Sequence, residues 1–363
     1  MSHATRKNIG VIGLGIIGRG IAGILRRKGF PVYVWNRSPR SVPNFVGSPG
    51  EIAEICNYIQ IFVSDDDALL QTAQQLGDKL TPRHLVLAHS TVAPDSMRAA
   101  AEIVERRKAQ FVEAPFTGSK SAAEKGELVY YVCGNDAALR EARPILQASS
   151  KEFIEIGPTI GQASAIKIAT NMITAASIQA AAEALALVQA LGLPLEKFTE
   201  AMRSNASHST TLAMKLPKML GRDFEPHFSV KHMLKDMQIA NQIGLSNYLD
   251  LGVTAAARDQ LLEQMHWGHG DDDYSVVARK YLHEPAPAAG EELQLAEEDD
   301  QASVGESIAS PTEVDTQGQQ VGGPEVTPEP LIGVASSRTS NDTTRLRRGF
   351  LKQLLSRLSS GKE

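Results

Sequence analysis

The sequence is poor in cysteine and lacks an excess of positive charge. It has two cysteines among 363 residues, Cys56 and Cys133, and both lie in apolar surroundings. Two such cysteines provide neither a disulfide framework nor the spacing of a metal site, so we expect buried thiols in a reducing compartment, the cytoplasm. The formal net charge of −5 argues against a nucleic-acid partner, which would require a basic surface.

The sequence also lacks an uninterrupted apolar run that would favour a membrane span. The longest, residues 172–195, contains Glu183 near its middle, and burying that carboxylate in a bilayer would cost about 2.5 to 3.5 kcal/mol. A shorter run, residues 9–17, follows two cations as in a secretory signal, but glycines interrupt it and no small-residue cleavage site follows. We expect a long buried helix at the first run and a strand with a phosphate loop at the second.

A glycine-rich turn near the N-terminus predicts a dinucleotide site. The apolar run 9–12 leads into Gly13-Leu14-Gly15-Ile16-Ile17-Gly18, a helical stretch follows to residue 29, and residues 31–35 supply the next strand. The first glycine permits the tight turn, the second lets phosphates approach the backbone, and the third lets the helix lie against the strand. The start of that helix then directs its free amides at the anion. This pattern is typical of nicotinamide enzymes, although a flavin site could use the same turn.

The end of the second predicted strand indicates which nicotinamide cofactor binds. It carries Asn36-Arg37-Ser38 in the place where an acidic residue would bind the ribose hydroxyls of NAD(H). A guanidinium can instead bind a 2′-phosphate and stack on the adenine. We therefore predict NADP(H), with Asn36, Arg37 and Ser38 at its adenosine end; the alternative is a solvated arginine in a loop.

Apolar patterning divides the folded part of the chain into two domains. Residues 1–161 alternate short apolar runs with helical segments, which predicts an α/β Rossmann domain with a doubly wound sheet. Strand signals stop there, and residues 162–284 predict an all-helical domain that opens with one long helix, residues 163–191. The predicted strands of the first domain are residues 9–12, 31–35, 58–63, 84–88, 111–113, 128–132 and 153–156.

The remaining residues predict a tail in two parts. Residues 285–344 are a predicted disordered acidic linker, because Pro, Gly, Ser, Thr, Gln and acids dominate there and no Lys or Arg occurs from 285 to 337. Residues 345–358 predict a basic amphipathic helix that could dock on a protein partner or an anionic membrane surface, or could have no specific partner. Four of its apolar residues share one helical face: Leu346, Phe350, Leu354 and Leu358.

The long predicted helix carries two polar residues that point to chemistry. Lys167 and Asn171 are four residues apart, so they lie on one face of it. Apart from Glu183, nearly every other residue of this helix is apolar or small. A lysine in such a helix either extends its amine to water or is held at a cleft for a purpose.

Four motifs resemble those of the β-hydroxyacid dehydrogenase family and occur in the same order along the chain. Within that family, the resemblance is to the branch of glyoxylate and succinic semialdehyde reductases. The resemblance covers most of residues 8–279. It implies a fold like that of 6-phosphogluconate dehydrogenase, with the active site between the two domains. The matching motifs are the glycine turn 13–18, Glu113-Ala114-Pro115-Phe116-Thr117-Gly118-Ser119, the run 161–171, and Phe228-Ser229-Val230-Lys231-His232 followed by Lys235-Asp236-Met237.

The resemblance also implies roles for the motif residues. Lys167 would be the proton donor, because its reference pKa of about 10.4 keeps it charged at neutral pH, and Asn171 would orient the substrate or the lysine. The implied substrate-binding residues are Thr117, Gly118, Ser119, Phe228 and Asp236. The implied cofactor-binding residues, besides those of the glycine turn and the second strand, are Val63, Ser64, Thr91 and Lys235. Without the family pattern, Thr91 would be a helix cap, Phe228 a core aromatic and Lys235-Asp236 a solvated pair.

Two departures from the family pattern concern the substrate. Phe116-Thr117 stands where members commonly carry Val-Ser, and Tyr130-Tyr131 in the next strand is bulkier than expected. These residues predict a narrower pocket and leave the identity of the substrate open.

The histidines do not predict a metal site. His266 and His269 lie near three consecutive aspartates, residues 271–273, but the intervening glycine breaks the helical spacing that would align the two imidazoles. His227 and His232 lack spaced partners, and we expect both to be structural.

Together these features predict an NADPH-dependent reductase of a small aldehyde or keto acid, such as glyoxylate or succinic semialdehyde. One alternative is a dehydrogenase that works in the oxidative direction on a 3-hydroxyacid. Another is an interaction protein that uses a dehydrogenase-like body as a scaffold and acts through its tail. The wide apolar surface of the long helix predicts a homodimer or homotetramer.

Overall fold

Short buried strands alternate with helices in the first half of the chain. The computed structural model describes residues 7–282, all within one compact unit. The strands are β1 Ile9–Ile12, β2 Val32–Trp35, β3 Tyr58–Ile61, β4 Leu85–Ala88, β5 Gln110–Glu113, β6 Phe116–Thr117, β7 Leu128–Cys133 and β8 Ser150–Gly157. The helices are α1 Ile16–Arg27, α2 Pro49–Ile55, α3 Asp66–Gly77, α4 Pro94–Glu105, α5 Lys120–Lys125, α6 Asp136–Ser149, α7 Gln162–Ala190, α8 Leu195–Arg203, α9 Thr210–Leu220, α10 Val230–Ser246 and α11 Gly252–His266, followed by a 3₁₀ helix, Tyr274–Lys280.

The eight strands form one sheet in the order β2-β1-β3-β4-β5-β7-β6, with β8 paired to β7. Strands β1 to β5 run parallel to one another, whereas β7 runs antiparallel to β5 and β6. Most residues of the parallel strands are apolar because helices cover both faces of the sheet. Along β1, Ile9 and Val11 face one apolar cluster and Ile12 faces the other. The carboxyl ends of the parallel strands therefore meet at one edge, where such sheets bind ligands.

The second half of the described chain is helical. Helix α7 runs for 29 residues, and its buried face packs with α9, α10, α11 and the 3₁₀ helix around a third apolar cluster that includes Ile178, Leu216, Met237 and Leu261. By length and composition alone α7 could cross a membrane, but a core helix passes the same test, and burial of Ala175, Ile178 and Ala182 fits a core helix.

The predicted fold class is confirmed: a Rossmann-like sheet precedes a helical region. Each predicted strand is present, and its ends differ from the prediction by three residues at most. The two-residue strand β6 was not predicted, because only its pairing with β7 makes it a strand. The domain boundaries at residues 161 and 284 stay predictions. The linker, residues 285–344, and the terminal segment, residues 345–358, lie outside the described residues.

Both cysteines are buried, as predicted. Burial raises the pKa of Cys56 to about 12. Burial, with the Glu113 carboxylate beside it, raises the pKa of Cys133 to about 11. Both groups are therefore neutral thiols at physiological pH, and neither is activated as a nucleophile.

Candidate active site

The glycine turn has the shape that a dinucleotide requires. Gly13 has φ of +95°, and a Cβ on it would lie 2.0 Å from the Phe62 carbonyl oxygen. A Cβ on Gly18 would lie 2.0 Å from the Gly13 carbonyl oxygen, so neither position tolerates a side chain. A Cβ on Gly15 would meet nothing within 4 Å. Gly13 and Gly18 thus close the turn, and Gly15 borders open space.

That open space suits the pyrophosphate of a dinucleotide. Gly15 is the N-cap of α1 and gives it no capping side chain. The amides of the first turn of α1, at Ile16, Ile17 and Gly18, can therefore bind an anion, which the helix dipole also favours. The residues present fit the cofactor predicted from the sequence.

The end of β2 supports this turn. Asn36 Oδ1 accepts a hydrogen bond from the Leu14 amide at 2.9 Å, and its Nδ2 donates to the Ser38 carbonyl at 2.8 Å. Asn36 is thus bound to the turn, a local role that its sequence position did not indicate. Arg37 is exposed and has no ion-pair partner within residues 7–282. Its guanidinium is available for a ligand.

Asp65 lies near Lys235 and Arg37, two of the predicted cofactor-binding residues. Burial raises its pKa, but hydrogen bonds from Ser64 and the Ala68 amide, together with the charges of Lys235 and Arg37, outweigh burial and lower it. Its Oδ1 accepts from the Ala68 amide at 2.9 Å and caps α3. The Ser64 hydroxyl donates to its Oδ2 at 2.5 Å. Ser64 is thus bound to a helix cap.

The predicted catalytic residues lie in one polar network on α7 and α10. Lys167 Nζ donates to Asn171 Oδ1 at 2.9 Å. Asn171 Nδ2 donates to Asp236 Oδ2 at 2.6 Å. Asp236 Oδ1 accepts from Lys235 Nζ at 2.7 Å. Asn171 and Asp236 are buried and Lys167 is half-buried, so three residues predicted from the family pattern hold Lys167 at the edge of the core.

Lys167 has no carboxylate within ion-pair distance in the described part of the chain. Burial lowers the pKa of Lys167 to about 8; the attraction of Asp236 opposes this shift, and repulsion by Lys235 adds to it. The sequence predicted a lysine near its reference pKa, so burial is the effect that the sequence did not reveal. At pH 7 a lysine with this pKa is still mostly protonated, and it can release its proton readily.

Lys235 joins this network to the sheet. Its Nζ donates to the Thr91 carbonyl as well as to Asp236. Thr91 follows β4, next to Ser90, whose hydroxyl accepts from the Val63 amide at 2.9 Å. The structure therefore brings the ends of β3 and β4 next to the helical residues that the sequence grouped with the cofactor.

The segment after β6 has a constrained backbone. Gly118 has φ of +141°, and a Cβ there would lie 2.6 Å from Leu128 Cδ2. The next residue, Ser119, is the N-cap of α5, and its hydroxyl accepts from the Ala122 amide at 3.3 Å. Thr117 and Gly118 are exposed and Ser119 is half-buried. Within residues 7–282, no hydrogen bond joins this segment to Lys167 or Asn171.

Glu113 is a functional candidate that the sequence did not single out. This fully buried carboxylate accepts from the Gly161 amide at 2.6 Å and from the Ser164 amide at 2.5 Å. Burial raises its pKa, and these hydrogen bonds oppose the rise. Glu113 ends β5, so the strand that leads into the substrate motif also caps the helix that carries Lys167. The sequence gave Glu113 only as the first residue of the substrate motif, and the N-cap of α7, Gly161, has no capping side chain of its own.

The Asp273 carboxylate holds the backbone around Phe228 through hydrogen bonds. Asp273 Oδ2 accepts from the amides of His227 at 2.9 Å and Phe228 at 3.3 Å. The same carboxylate contacts Lys215 Nζ through both oxygens at 2.7 Å. The Phe228 ring lies edge-on to Tyr274, with centroids 6.1 Å apart. This aromatic side chain is therefore held by a buried ion pair in the helical core.

The bulky residues that depart from the family pattern pack on one another. Phe116 meets Tyr130 edge-on at 6.5 Å and Phe62 at 6.3 Å. His89 stacks on Phe62 at 4.4 Å and lies 5.0 Å from Tyr130. Tyr130 is fully buried. Tyr130 therefore contributes its bulk to the apolar core, against which Phe116 packs.

The histidine and aspartate side chains near residue 270 each contact a different partner. His269 Nδ1 lies 2.8 Å from Asp272 Oδ2, Asp271 pairs with Lys231, and Asp273 belongs to the buried pair with Lys215. In the range 7–282 no group of three or more His, Cys, Asp or Glu side chains could hold a metal ion.

Comparison with known families gives two adjoining matches. Residues 8–157 match the model described as the NAD-binding domain of 6-phosphogluconate dehydrogenase. Residues 161–281 match the model described as NAD-binding of NADP-dependent 3-hydroxyisobutyrate dehydrogenase. The two models together span nearly all of the described chain, and the junction between them falls just before α7.

Individual relatives extend this likeness. Glyoxylate/succinic semialdehyde reductase 1 of Arabidopsis thaliana is 29% identical over 279 residues, which is 74% of this chain and 96% of the relative. Cytokine-like nuclear factor N-PAC of Danio rerio is 28% identical over 77% of this chain but only 63% of its own length. The crystal structure of 3-hydroxyisobutyrate dehydrogenase from Salmonella typhimurium superposes with a TM-score of 0.70 at 22% identity, over 76% of this chain and 100% of that one. At that identity the structural match supports the fold alone.

Proposed function

Because the chain belongs to the β-hydroxyacid dehydrogenase family and is an NAD(P)-dependent oxidoreductase acting on CH–OH groups, we propose that it reduces a small aldehyde or keto acid with NADPH. The observation that carries this proposal is a half-buried lysine, Lys167, which lies at the edge of a polar network without a carboxylate of its own in residues 7–282. Glyoxylate and succinic semialdehyde are the proposed substrates, and the plant relative named for both supports them.

NADPH is the proposed cofactor. Its pyrophosphate would lie against the turn 13–18, and Val63, Ser64, Thr91 and Lys235 would line the remainder of its site. Arg37 would bind the 2′-phosphate, because its guanidinium is exposed and has no ion-pair partner in the described chain. When bound, the cofactor supplies the hydride that the substrate carbonyl carbon accepts.

Lys167 is the proposed proton donor. Its Nζ would lie beside the substrate carbonyl oxygen and give that oxygen a proton as negative charge develops on it. The lysine becomes a neutral amine and later regains a proton from water. A pKa of about 8 suits this step, because the group is mostly charged at pH 7 and is a stronger acid than an ordinary lysine.

Asn171 and Asp236 are proposed to position this lysine. Asn171 accepts one of the ammonium hydrogens and is itself held by Asp236. Asp236 in turn binds Lys235, which reaches the Thr91 carbonyl. This chain of hydrogen bonds fixes the direction in which the remaining hydrogens of Lys167 point.

The proposed substrate groove combines a polar and an apolar side. Gly118 and Ser119, with Thr117 beside them, would give a carboxylate an amide and a hydroxyl without bulk. Phe228 would form the apolar wall, held in place by Asp273.

A steady-state survey tests this proposal. NADPH oxidation is measured with glyoxylate, succinic semialdehyde and an uncharged aldehyde, and NADP⁺ reduction is measured with 3-hydroxyisobutyrate; Lys167→Met serves as the matched inactive variant. We expect NADPH-dependent reduction of an aldehyde acid that Lys167→Met lacks. Turnover limited to the oxidation of 3-hydroxyisobutyrate would favour the alternative direction, and equal turnover by Lys167→Met would refute the role of the lysine.

The N-PAC relatives favour a second candidate, an interaction protein. They match 77% of this chain but only 52 to 63% of their own length, and they are named as nuclear factors. The acidic linker and basic segment, residues 285–358, would then be the interacting module. Deleting residues 285–363 should remove partner or membrane binding and preserve turnover; loss of turnover would contradict this division of roles.

A homodimer or homotetramer in the cytoplasm is also proposed. Large apolar side chains are exposed on α7 and near the end of α10, where a second copy would cover them. The most exposed of them are Ile173 at 70%, Leu187 at 62%, Leu245 at 71% and Tyr248 at 99%. Light scattering in solution tests this proposal.

A further inference from the structure

Helix α10 places one histidine on the same side as the proposed site. His232 precedes Lys235 and Asp236 by three and four residues, so the three side chains share a helix face. Asp236 binds Asn171, the neighbour of Lys167. His232 therefore lies about one helical turn, roughly 5.4 Å, along α10 from Asp236.

The imidazole of His232 is held on one side and available on the other. Its Nδ1 lies 2.6 Å from the Ser229 hydroxyl. Its ring stacks on Phe228, with centroids 6.0 Å apart and planes 21° apart. Within residues 7–282, Nε2 makes no hydrogen bond and is not among the fully buried polar atoms that lack a partner. The imidazole is thus fixed in orientation beside the proposed apolar wall, with one nitrogen free for a ligand.

The charges around this ring keep it neutral. Burial lowers the pKa of His232, and Lys235 and Lys231 lower it further, whereas Asp236 and Asp271 oppose the shift. A carboxylate beside Nε2 favours the neutral tautomer in which Nδ1 accepts from the Ser229 hydroxyl and Nε2 carries the proton. That N–H can donate to an acceptor on the substrate.

We propose that His232 is a specificity-determining residue that binds the far carboxylate of an aldehyde acid through Nε2. This inference rests on the proposed function, and it adds to it a choice between substrates. His232 lies in the first turn of α10, whose dipole also favours an anion. Two methylene groups separate the carboxylate of succinic semialdehyde from its aldehyde, so with the aldehyde at Lys167 the carboxylate can extend away from the lysine. Glyoxylate carries its carboxylate on the carbonyl carbon itself, so that carboxylate stays beside Lys167.

Three variants of the full chain separate the hydrogen bond of the His232 ring from its stacking contact. His232→Phe keeps the stacking on Phe228 and removes both nitrogens. His232→Gln keeps an amide donor near the place of Nε2. His266→Phe, an exposed histidine at the end of α11, is the matched control. For each protein, KM is measured with succinic semialdehyde and with glyoxylate at saturating NADPH, and the NADPH affinity is measured by fluorescence.

We expect His232→Phe to raise the KM for succinic semialdehyde about tenfold or more, because it loses a hydrogen bond to a charged group. The KM for glyoxylate and the NADPH affinity should change less than about twofold, and His232→Gln should restore most of the loss. His266→Phe should match the wild type with both substrates. An equal change with both aldehydes, or no change with either, would overturn the proposal.

A binding arm keeps the test independent of turnover. The NADP⁺ complex is titrated calorimetrically with 4-hydroxybutyrate, the product of succinic semialdehyde reduction. The wild type should bind it about tenfold more tightly than His232→Phe. If the wild type reduces neither aldehyde, the proposed function fails and this titration alone decides the role of His232. Equal affinities, or no binding to either protein, would overturn that role.

Discussion

Two lysines of the helical region, the buried Lys215 and the half-buried Lys167, differ in what surrounds the ammonium group. Lys215 contacts both oxygens of Asp273 at 2.7 Å, and the two side chains are 4% and 0% exposed. The same carboxylate also accepts from two backbone amides and from Ser275. Lys167 instead contacts a neutral amide, Asn171, while its nearest carboxylate, Asp236, is used by Asn171 and Lys235.

This difference separates a structural lysine from one available for chemistry. Every oxygen of Asp273 has a partner, and the Lys215 ammonium also lies over the Tyr274 ring, 4.6 Å from its centroid. Such a pair tolerates the loss of neither member, because the remaining charge would be buried alone. Lys167 has an incomplete set of partners among the described residues, so a substrate oxygen can supply the next one. We infer that the two roles differ in the number of partners that the ammonium group has as well as in its burial.

The largest expected effect concerns activity at Lys167. Lys167→Met should lower kcat for aldehyde reduction about 10²- to 10⁴-fold, the usual contribution of a proton donor. Because no carboxylate depends on this lysine alone, Tm should stay within about 4 °C of the wild type. Kinetics and calorimetry on the same preparation measure both quantities. A large fall in Tm would show that the two lysines do not differ in the way described.

The opposite pattern is expected at Lys215. Lys215→Met leaves Asp273 charged and buried, which should reduce the free energy of unfolding by about 3 to 5 kcal/mol. Tm should then fall by at least about 6 °C, while kcat of the folded fraction stays near the wild-type value. Urea unfolding measures the stability. Double substitution of Lys215 and Asp273 by apolar residues should recover part of it, and failure to recover would argue against the unpaired charge as the cause.

A smaller effect on cofactor preference is expected at a third cationic side chain, that of Arg37. Arg37 is exposed and unpaired in the described chain, so we expect it to be available for the cofactor phosphate. Arg37→Ala should lower the ratio of kcat/KM for NADPH to that for NADH about tenfold or more. Arg40→Ala, an exposed arginine of the same loop, is the control. An unchanged ratio would contradict the NADPH assignment.

The sequence was most informative where chemistry depends on local spacing. The turn 13–18 predicted a strand, a tight turn and a helix. The glycines there satisfy backbone requirements that depend only on residues close by in the sequence. The pairing of Lys167 with Asn171 followed from helical periodicity. The doubly wound sheet followed from short apolar runs between helices. These features are present in the structure.

Contacts between distant residues could not be predicted in the same way. Glu113 caps α7 from 48 and 51 residues away, and Lys215 meets Asp273 across 58 residues. In the sequence, Asp273 is the last of three consecutive aspartates, and nothing there gave a reason to pair it with Lys215. The lowered pKa of Lys167 was missed for the same reason, since burial depends on the packing of α7 against α10. These contacts and the burial of Lys167 depend on the folded structure, which the spacing of residues along the sequence does not predict.

The pH dependence of kcat/KM tests the central claim most directly. Measured with NADPH and aldehyde below their KM values, it reports groups of the free enzyme. Since reduction requires protonated Lys167, and burial lowers its pKa to about 8, kcat/KM should be constant at lower pH and fall about tenfold per pH unit above about pH 8. A profile that stays flat to about pH 10, near the ordinary lysine value, would contradict Lys167 as the buried proton donor.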